Sequence, residues 1–301
     1  DMDRMRIIGK GIVLFFVMVA VPTVTTTSQE LPLTMEVSHY ARSLQPGEVV
    51  RVTATFSRPV GTVRASAFGS VVSFQPTGDQ RMWSGLVGID LDVKIGEHLI
   101  SIVGTSPNGI TARTEHPLAV ISKEFATRRL TVAPEYVTPP DEVIERIQRE
   151  GARTTKLFNT QTPIAYWSGA FLRPVTGAAT SAFGRRSVFN GQARSPHSGA
   201  DFRASQGTPV KAPNSGIVVL ANDLYFSGNC VIIDHGLGLY SFFAHLSRIG
   251  VAEGDRVASG DIIGDVGATG RVTGPHLHWT VRLNTARVDP LSLMAVLADG
   301  G

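Results

Sequence analysis

The feature that most constrains the fold is a recurring pattern of short apolar alternations separated by turn residues. Val50, Val52, Ala54 and Phe56 alternate along one segment, and comparable segments recur through most of the chain. Side chains two residues apart lie on the same face of a β-strand, so this period predicts half-buried strands. The 31 glycines and 17 prolines of the 301 residues supply turns and disfavour long helices. The sequence therefore predicts a mainly β protein.

Residues 30–121 are predicted to form an N-terminal immunoglobulin-like β-sandwich. Short alternating segments separated by turns, with no helical period, are typical of that class. Turn sequences separate the segments at residues 46–47, 77–79 and 106–109. Two further alternations, the second less regular, are Val63, Ala65 and Ala67, and then Leu99, Ser101 and Val103. The scattered histidines of this region are interpreted as ordinary surface or packing residues: His39, His98 and His116.

Residues 122–170 are predicted to be a short helical connector with one helix. Thr138-Pro139-Pro140-Asp141 has the composition of a helix start, because threonine can cap, proline is tolerated in the first turn and an acid there favours the helix dipole. Three apolar residues then share one helical face: Val143, Ile144 and Ile147. Gly151 is expected to end or weaken the helix. Trp167 and Phe171 are expected to pack the connector onto the next domain.

Residues 171–301 are predicted to form a C-terminal domain built on an antiparallel β-sheet. The clearest strands are residues 216–221, 230–234, 239–244, 261–266 and 277–283. A local repeat places Gly254-Asp255 and Gly260-Asp261 at two turns, each followed by a strand. Paired turns of this kind also occur in biotinyl and lipoyl carrier domains, but the lysine setting of those carriers is absent. Cys230, the single cysteine, is interpreted as a buried strand residue and His235 as a turn residue.

Two distant stretches carry residue types that bind metal ions. His197 and Asp201 lie four residues apart, and His276 and His278 lie two apart. If Leu277 faces the core, both of the latter histidines face one site, where one can bind a metal while the other serves proton transfer. Two imidazoles and one carboxylate suit a borderline cation such as zinc, and a set of three ligands leaves a position for water. A bent loop is expected to bring the first pair together.

Six motifs occur together in the C-terminal part: Phe183-Gly184-Arg185-Arg186, His197-Ser-Gly-Ala-Asp201-Phe202, Gly207-Thr-Pro-Val-Lys-Ala-Pro213, Asp234-His-Gly236, Ala244-His-Leu246 and Thr269-Gly-Arg-Val-Thr-Gly-Pro-His-Leu-His278. Together they resemble the M23 metallopeptidases, the lysostaphin and LytM type of peptidoglycan endopeptidase. The resemblance covers about residues 171–294. It implies a zinc-dependent hydrolase that cleaves the peptide cross-links of bacterial peptidoglycan.

The resemblance also implies roles for five residues. The zinc ligands of the family fall on His197, Asp201 and His278, which implies one Zn²⁺ per chain. Its two catalytic histidines fall on His245 and His276. Taken alone, His245 follows an apolar strand and resembles a core histidine, so only the resemblance assigns it a catalytic role.

Two other functions remain open at this point. Some relatives of these peptidases have lost metal ligands and regulate cell wall growth by activating amidases. In the second alternative, the β-sandwich is the main functional module and binds the wall or a partner. All five positions are intact in this chain, which favours the catalytic function.

The N-terminal residues 1–29 are predicted to be a secretory signal or an uncleaved membrane anchor with a linker. Basic residues at positions 4, 6 and 10 precede an uncharged, mostly apolar run at residues 11–24. We therefore expect an exported protein of the periplasm or cell envelope. The net charge of +3 is a mild bias towards anionic partners such as cell wall polymer. A nucleic acid partner is not expected, because no basic cluster is interleaved with aromatic residues.

Overall fold

The structure is a computed structural model, and it describes residues 31–131, 137–179 and 183–298. The predicted signal or anchor segment, residues 1–29, lies outside the described residues. In the described part of the chain, neither helix combines the length and the apolar character needed to cross a bilayer. The fold is mainly β, as the alternating pattern predicted.

Eight strands form the predicted N-terminal sandwich. They are β1 (Met35–Ala41), β2 (Val49–Phe56), β3 (Thr62–Ala67), β4 (Ser70–Val72), β5 (Phe74–Thr77), β6 (Met82–Gly88), β7 (Gly96–Thr105) and β8 (Thr111–Val120). One sheet has the order β1-β2-β6-β5 and the other β4-β3-β7-β8. The first sheet has the strand order of the A, B, E and D strands of an immunoglobulin domain. The immunoglobulin-like prediction is therefore confirmed.

The sandwich core comes from the inward faces of both sheets. In β2 the predicted alternation is confirmed, since Val50, Val52, Ala54 and Phe56 are all buried. In β7 the prediction of the inner face is wrong, because Leu99 is exposed and its even-numbered neighbours are buried in the core. The core residues of β7 are Ile100 and Ile102. A one-residue change of phase moves every side chain to the opposite face, so an irregular alternation identifies the strand but not its inner side.

The connector contains the one predicted helix, α1 (Asp141–Phe158). Its N-cap is Pro140, and no side chain caps the helix, so the predicted capping role of threonine is wrong. Gly151 was expected to end or to weaken the helix. It does not end the helix, because α1 continues for seven more residues to Phe158, and a weakening effect stays a prediction. Trp167 and Phe171 do pack against the C-terminal core, with ring centroids 5.9 Å apart.

A small three-stranded sheet ties the connector to the C-terminal part. Its strands are β9 (Thr127–Leu130), β10 (Arg186–Phe189) and β11 (Gln192–Ala193), in the order β11-β10-β9. The connector strand β9 pairs parallel with β10. The chain that leaves the sandwich is therefore hydrogen-bonded to the segment that leads into the metal-binding motif.

The C-terminal sheet contains all five strands that the sequence predicted. Its nine strands are β12 (Gly199–Phe202), β13 (Pro209–Lys211), β14 (Gly216–Leu224), β15 (Gly228–Gly236), β16 (Leu239–Ile249), β17 (Arg256–Val257), β18 (Ile262–Val266), β19 (Leu277–Leu283) and β20 (Ala286–Val288). The main order is β12-β19-β16-β15-β14-β17, with every neighbouring pair antiparallel. The central strands β19, β16 and β15 are buried on both faces, which gives the site a rigid floor.

Several single-residue predictions are decided by this sheet. The two Gly-Asp turns form as predicted: Asp255 accepts from the backbone N–H of Ala252 at 2.8 Å, and Asp261 from that of Ala258 at 2.7 Å. Cys230 is fully buried in β15, as predicted. His235 is not a turn residue, because it lies within β15 and is fully buried.

A second helix, α2 (Pro290–Ala298), closes the C-terminal end and was not predicted. Asp289 accepts a hydrogen bond from the backbone N–H of Leu291 at 3.0 Å, and Pro290 occupies the first helical position. An Asp-Pro pair is a recognisable helix start, so a signal for α2 was present in the sequence.

The sandwich packs closely against the C-terminal part. Val49 of β2 belongs to the same buried cluster as Val288 and Leu293. Polar contacts follow the same surface: Asp90 receives hydrogen bonds from the backbone N–H, at 2.8 Å, and the guanidinium of Arg287. From Leu33 onward, the described residues form one compact unit.

Candidate metal centre

Two of the predicted site residues lie on paired strands, and a third lies on the loop before one of these strands. Asp201 of β12 lies directly opposite His278 of β19 in the antiparallel register. His197 lies on the bent loop that leads into β12, as expected. Leu277 is fully buried, so His278 and His276 emerge on the other side, towards the groove. The pairing of β12 with β19 therefore brings the two distant motifs to one place.

The approach of β12 to β19 depends on Gly199. A Cβ atom at this position would lie 2.5 Å from the carbonyl oxygen of Trp279 and 2.8 Å from the His278 ring. Both distances are too short for any side chain. Glycine at position 199 is thus what allows the strand carrying Asp201 to pair closely with the strand carrying His278.

The three donor atoms form a compact triangle. His197 Nε2 lies 3.0 Å from His278 Nδ1 and 3.1 Å from Asp201 Oδ1, and the last two atoms are 3.0 Å apart. Three ligands at ~2.0–2.1 Å from one tetrahedral zinc ion would be separated by about 3.3 Å. Hydrogen atoms on neutral imidazoles cannot satisfy all three edges of such a triangle, whereas one cation can. The residues present therefore fit a metal ion, and this group could hold one.

The charge state of the triangle also suits a cation. Burial by itself raises the pKa of Asp201, but the hydrogen bonds and charges of His197 and His278 outweigh it and hold the pKa far below its usual range. Burial lowers the pKa of His278 more than its hydrogen bond to Asp201 raises it. Near neutral pH the set consists of a carboxylate and a neutral imidazole at His278, which are the forms that bind metals.

His276 lies beside the triangle but is not part of it. Its Nδ1 donates to the carbonyl oxygen of Gly274 at 2.9 Å, which leaves Nε2 as the lone-pair nitrogen of the neutral ring. That Nε2 lies 3.8 Å from Asp201 Oδ1. The two histidines of the His276-Leu277-His278 motif therefore have different surroundings, as the spacing allowed.

His245 reaches the site through an irregularity in β16. The register between β15 and β16 shifts between Asn229 and Val231, and His245 has a φ of +67°. Such a bulge re-aims a side chain that regular alternation would send elsewhere. A positive φ is uncommon for a residue other than glycine and is typical of functional sites. The His245 ring lies 5.1 Å from the ring of His276.

The protonation of His245 is set by its surroundings. Its Nδ1 donates to the carbonyl oxygen of Thr269 at 2.9 Å, so Nε2 is the proton-accepting atom. Burial and the neighbouring His278 and His276 lower the pKa of His245 to about 3, although the hydrogen bond to Thr269 acts in the opposite direction. The ring is therefore neutral at physiological pH.

All five predicted site residues line one groove of about 810 Å³. The C-terminal sheet forms its floor, while β9 and α1 of the connector contribute to its walls through Arg128, Glu150 and Phe158. The connector therefore packs against the C-terminal part, as predicted, and also borders the site.

Sequence reasoning missed the residues that orient the histidines. Thr280 Oγ1 lies 2.9 Å from His278 Nε2 and fixes the orientation of the ring. The two residues are two apart on β19, so the period of the strand could have identified Thr280. Thr269, whose carbonyl holds His245, carries no comparable local signal. Arginines that line the groove were also missed, namely Arg185, Arg194 and Arg271.

The sequence profile of peptidase family M23 matches residues 195–290, which contain all five site residues. A crystal structure from Pseudomonas aeruginosa, described as a peptidase M23, shares 35% identity with this chain. The alignment covers 86% of this chain and 97% of that chain, with a TM-score of 0.65. The chain belongs to peptidase family M23.

Two curated relatives are similar to this chain over about three tenths of its length. The DD-carboxypeptidase/endopeptidase Mpg of Neisseria meningitidis serogroup B is 45% identical over 97 residues, which are 32% of this chain and 22% of Mpg. The peptidoglycan DD-endopeptidase ShyA of Vibrio cholerae is 46% identical over 84 residues, which are 28% of this chain and 20% of ShyA. The matched part is thus about a fifth of the length of these relatives.

Proposed function

We propose that this M23 protein is a zinc-dependent endopeptidase that hydrolyses the peptide cross-links of bacterial peptidoglycan. The observation that carries the proposal is the triangle of His197 Nε2, Asp201 Oδ1 and His278 Nδ1, with edges of 3.0–3.1 Å, beside two further histidines in one groove. The names of Mpg and ShyA, an endopeptidase and a peptidoglycan DD-endopeptidase, support the substrate class.

In this proposal one zinc ion per chain is held by His197, Asp201 and His278. When bound, zinc supplies Lewis acidity, which polarises a peptide carbonyl and makes water acidic near neutral pH. Thr280 keeps the His278 ring in the orientation that presents Nδ1 to the other two ligand atoms. Such supporting contacts raise metal affinity by holding ligands in place before binding.

His245 and His276 carry the proton transfers. Each ring donates from Nδ1 to a backbone carbonyl, of Thr269 and Gly274 respectively, so each has Nε2 available to accept a proton. Once protonated, Nε2 can return the proton to the leaving amine or donate a hydrogen bond to the developing oxyanion. The two backbone carbonyls fix the rings before substrate arrives.

The alternative is a non-catalytic regulator that activates cell wall amidases. A regulator has no need for proton-transfer groups, yet His245 is held in a strained backbone conformation with its ring beside the metal ligands. Strain of this kind costs about 1–3 kcal/mol, and it supports the catalytic function. A wall-binding role for the sandwich is compatible with either function.

The proposed substrate places the protein in the cell envelope, as an exported protein of the periplasm or cell surface. The apolar N-terminal segment would then serve as a secretory signal or as an anchor to the membrane. Peptidoglycan is the proposed partner.

The test combines metal analysis with digestion of purified peptidoglycan sacculi. Protein purified without chelator is expected to contain about one zinc per chain and to release uncross-linked muropeptides, detected by mass spectrometry. Removing a ligand with His278→Ala should abolish zinc binding and cleavage together. His276→Ala and His245→Ala should keep near-stoichiometric zinc and lose about 10²–10⁴ in rate.

Three outcomes would contradict the proposal. Protein purified without chelator that contains no transition metal would exclude a zinc enzyme. Zinc-loaded protein that leaves cross-links intact but stimulates a wall amidase would establish the regulator. Loss of zinc in His276→Ala with retention in His278→Ala would reverse the assigned roles.

A further inference from the structure

The groove that contains the metal centre has a strong excess of positive charge. Its described lining residues include five arginines but only two carboxylates, Glu150 and Asp201. Glu150 already accepts from the Arg146 side chain at 2.5 Å and from the backbone N–H of Tyr225 at 2.8 Å. Asp201 belongs to the metal triangle. The arginines are Arg128, Arg185, Arg194, Arg271 and Arg282.

Arg194 contributes a positive charge to the groove, and the side-chain hydrogen bonds that it makes to described residues go to neutral groups. One Nη atom donates to the carbonyl oxygen of Val137 at 2.6 Å and approaches the amide oxygen of Gln192 at 3.4 Å. The Nε atom is buried and has no hydrogen-bond partner in the described part of the chain. A buried donor without a partner costs free energy, and a bound acceptor would recover it.

Arg271 lines the same groove as Arg194, and its guanidinium packs on an aromatic ring. Its guanidinium carbon lies 4.3 Å from the ring centroid of Phe226, and its backbone N–H donates to the Phe226 carbonyl at 2.9 Å. Burial, followed by the charge of Arg194, lowers the pKa of Arg271. Two guanidinium groups that repel each other across a partly buried groove are stabilised when an anion binds between them.

We propose that Arg194 and Arg271 form a subsite that binds a free carboxylate of the substrate peptide beside the bond that is cleaved. Planar guanidinium groups bind carboxylates through paired hydrogen bonds, which fix orientation as well as charge. The inference rests on the proposed endopeptidase function and narrows its substrate class. The chain selects cross-linked peptides with a carboxylate near the scissile bond over uncharged bridges.

The kinetic test uses two forms of one substrate, a cross-linked peptide dimer with a terminal carboxylate and the same dimer as the carboxamide. For the full-length zinc-loaded protein, Arg194→Gln should raise KM for the carboxylate form by about tenfold to a hundredfold and leave the carboxamide form nearly unchanged. Arg271→Gln should act in the same direction. Arg186→Gln is the matched control, because Arg186 is exposed and does not line the groove.

A binding measurement separates this inference from the proposed function. Calorimetry with a short peptide ending in D-alanine, as carboxylate and as carboxamide, gives a result whether or not the protein cleaves cross-links. Wild type and Arg186→Gln should prefer the carboxylate by about tenfold or more, and Arg194→Gln should abolish that preference. Equal binding of both probes by wild type overturns the subsite. An equal loss for both probes in Arg194→Gln and Arg271→Gln also overturns it, because that result indicates a structural role.

Discussion

Histidine residues of the C-terminal part differ in function because their surroundings differ, and His235 illustrates the structural extreme. It is fully buried, its Nδ1 donates to the carbonyl oxygen of Ser215 at 2.8 Å, and its Nε2 accepts from the hydroxyl of Ser241 at 2.9 Å. Both ring nitrogens are satisfied in the neutral form. Burial outweighs the hydrogen bond to Ser215 and lowers the pKa of His235 to about 4.

This burial predicts a dependence of stability on pH. Between pH 4 and 6.5 the unfolded chain binds a proton at His235 and the folded chain does not, so the free energy of unfolding falls as the pH falls through that window. The full effect is about 3 kcal/mol. Urea unfolding of wild type and His235→Gln at pH 7 and pH 4 measures it. Equal losses in the two proteins would show that His235 is not the titrating group.

At the scale of elements, α1 is held on the C-terminal sheet by contacts along its whole length. Arg146 pairs with Asp223 at 2.8 Å, and Arg153 pairs with Glu253 at 2.6 Å. At the end of the helix, Phe158 meets the ring of Tyr240 with centroids 5.7 Å apart. These contacts flank Gly151 on both sides, which explains why the helix continues through a residue that weakens helices in isolation.

Two substitutions at Gly151 separate the stability of α1 from its position at the groove. A Cβ atom at this position would meet no other atom within 4 Å, so Gly151→Ala should stabilise the protein by about 0.5–1 kcal/mol without changing cleavage. Gly151→Trp should fill part of the groove and slow muropeptide cleavage, since Gly151 lines the cavity. Denaturant unfolding and the sacculus digest are the measurements. Unchanged cleavage by Gly151→Trp would show that substrate does not pass along α1.

At the scale of the whole molecule, a buried polar network joins the sandwich to the C-terminal part. Glu48 is 2% exposed and accepts from Arg42 at 2.8 Å, from the Ser292 hydroxyl at 2.7 Å and from Lys123 at 3.2 Å. Arg42 also donates to Asp289 at 2.8 Å, across 247 positions of sequence. Burial raises the pKa of Glu48, but these hydrogen bonds and charges outweigh it and lower the pKa overall.

Breaking this network should destabilise both parts of the molecule together. Glu48→Gln removes a buried charge that three donors share, and we expect a loss of about 2 kcal/mol. Asp79→Asn is the matched control, because Asp79 pairs with Arg81 at 3.3 Å on the surface and should lose less than about 1 kcal/mol. Thermal unfolding should show one transition that moves to lower temperature in Glu48→Gln. Two separate transitions would show that the sandwich and the C-terminal part unfold independently.

The sequence by itself determined the features that depend on local spacing. The five predicted strands of the C-terminal sheet form because apolar alternation is a property of consecutive residues. The same period turns His276 and His278 to one side of β19, and their metal-binding chemistry follows from residue type. The boundaries between sandwich, connector and C-terminal domain near residues 121 and 170 stay predictions.

Only the tertiary structure decided the features that depend on distant partners. Packing against segments far away in sequence produces three such features. They are the bulge at His245, the inner face of β7 and the continuation of α1 beyond Gly151. The placement of Arg194 and Arg271 in one groove likewise requires two distant segments of the chain to meet. Local patterns specify which strands form and which chemistry they carry. Long-range packing decides which side chains share a site, because the free energy that selects a register or a face comes from contacts between distant segments.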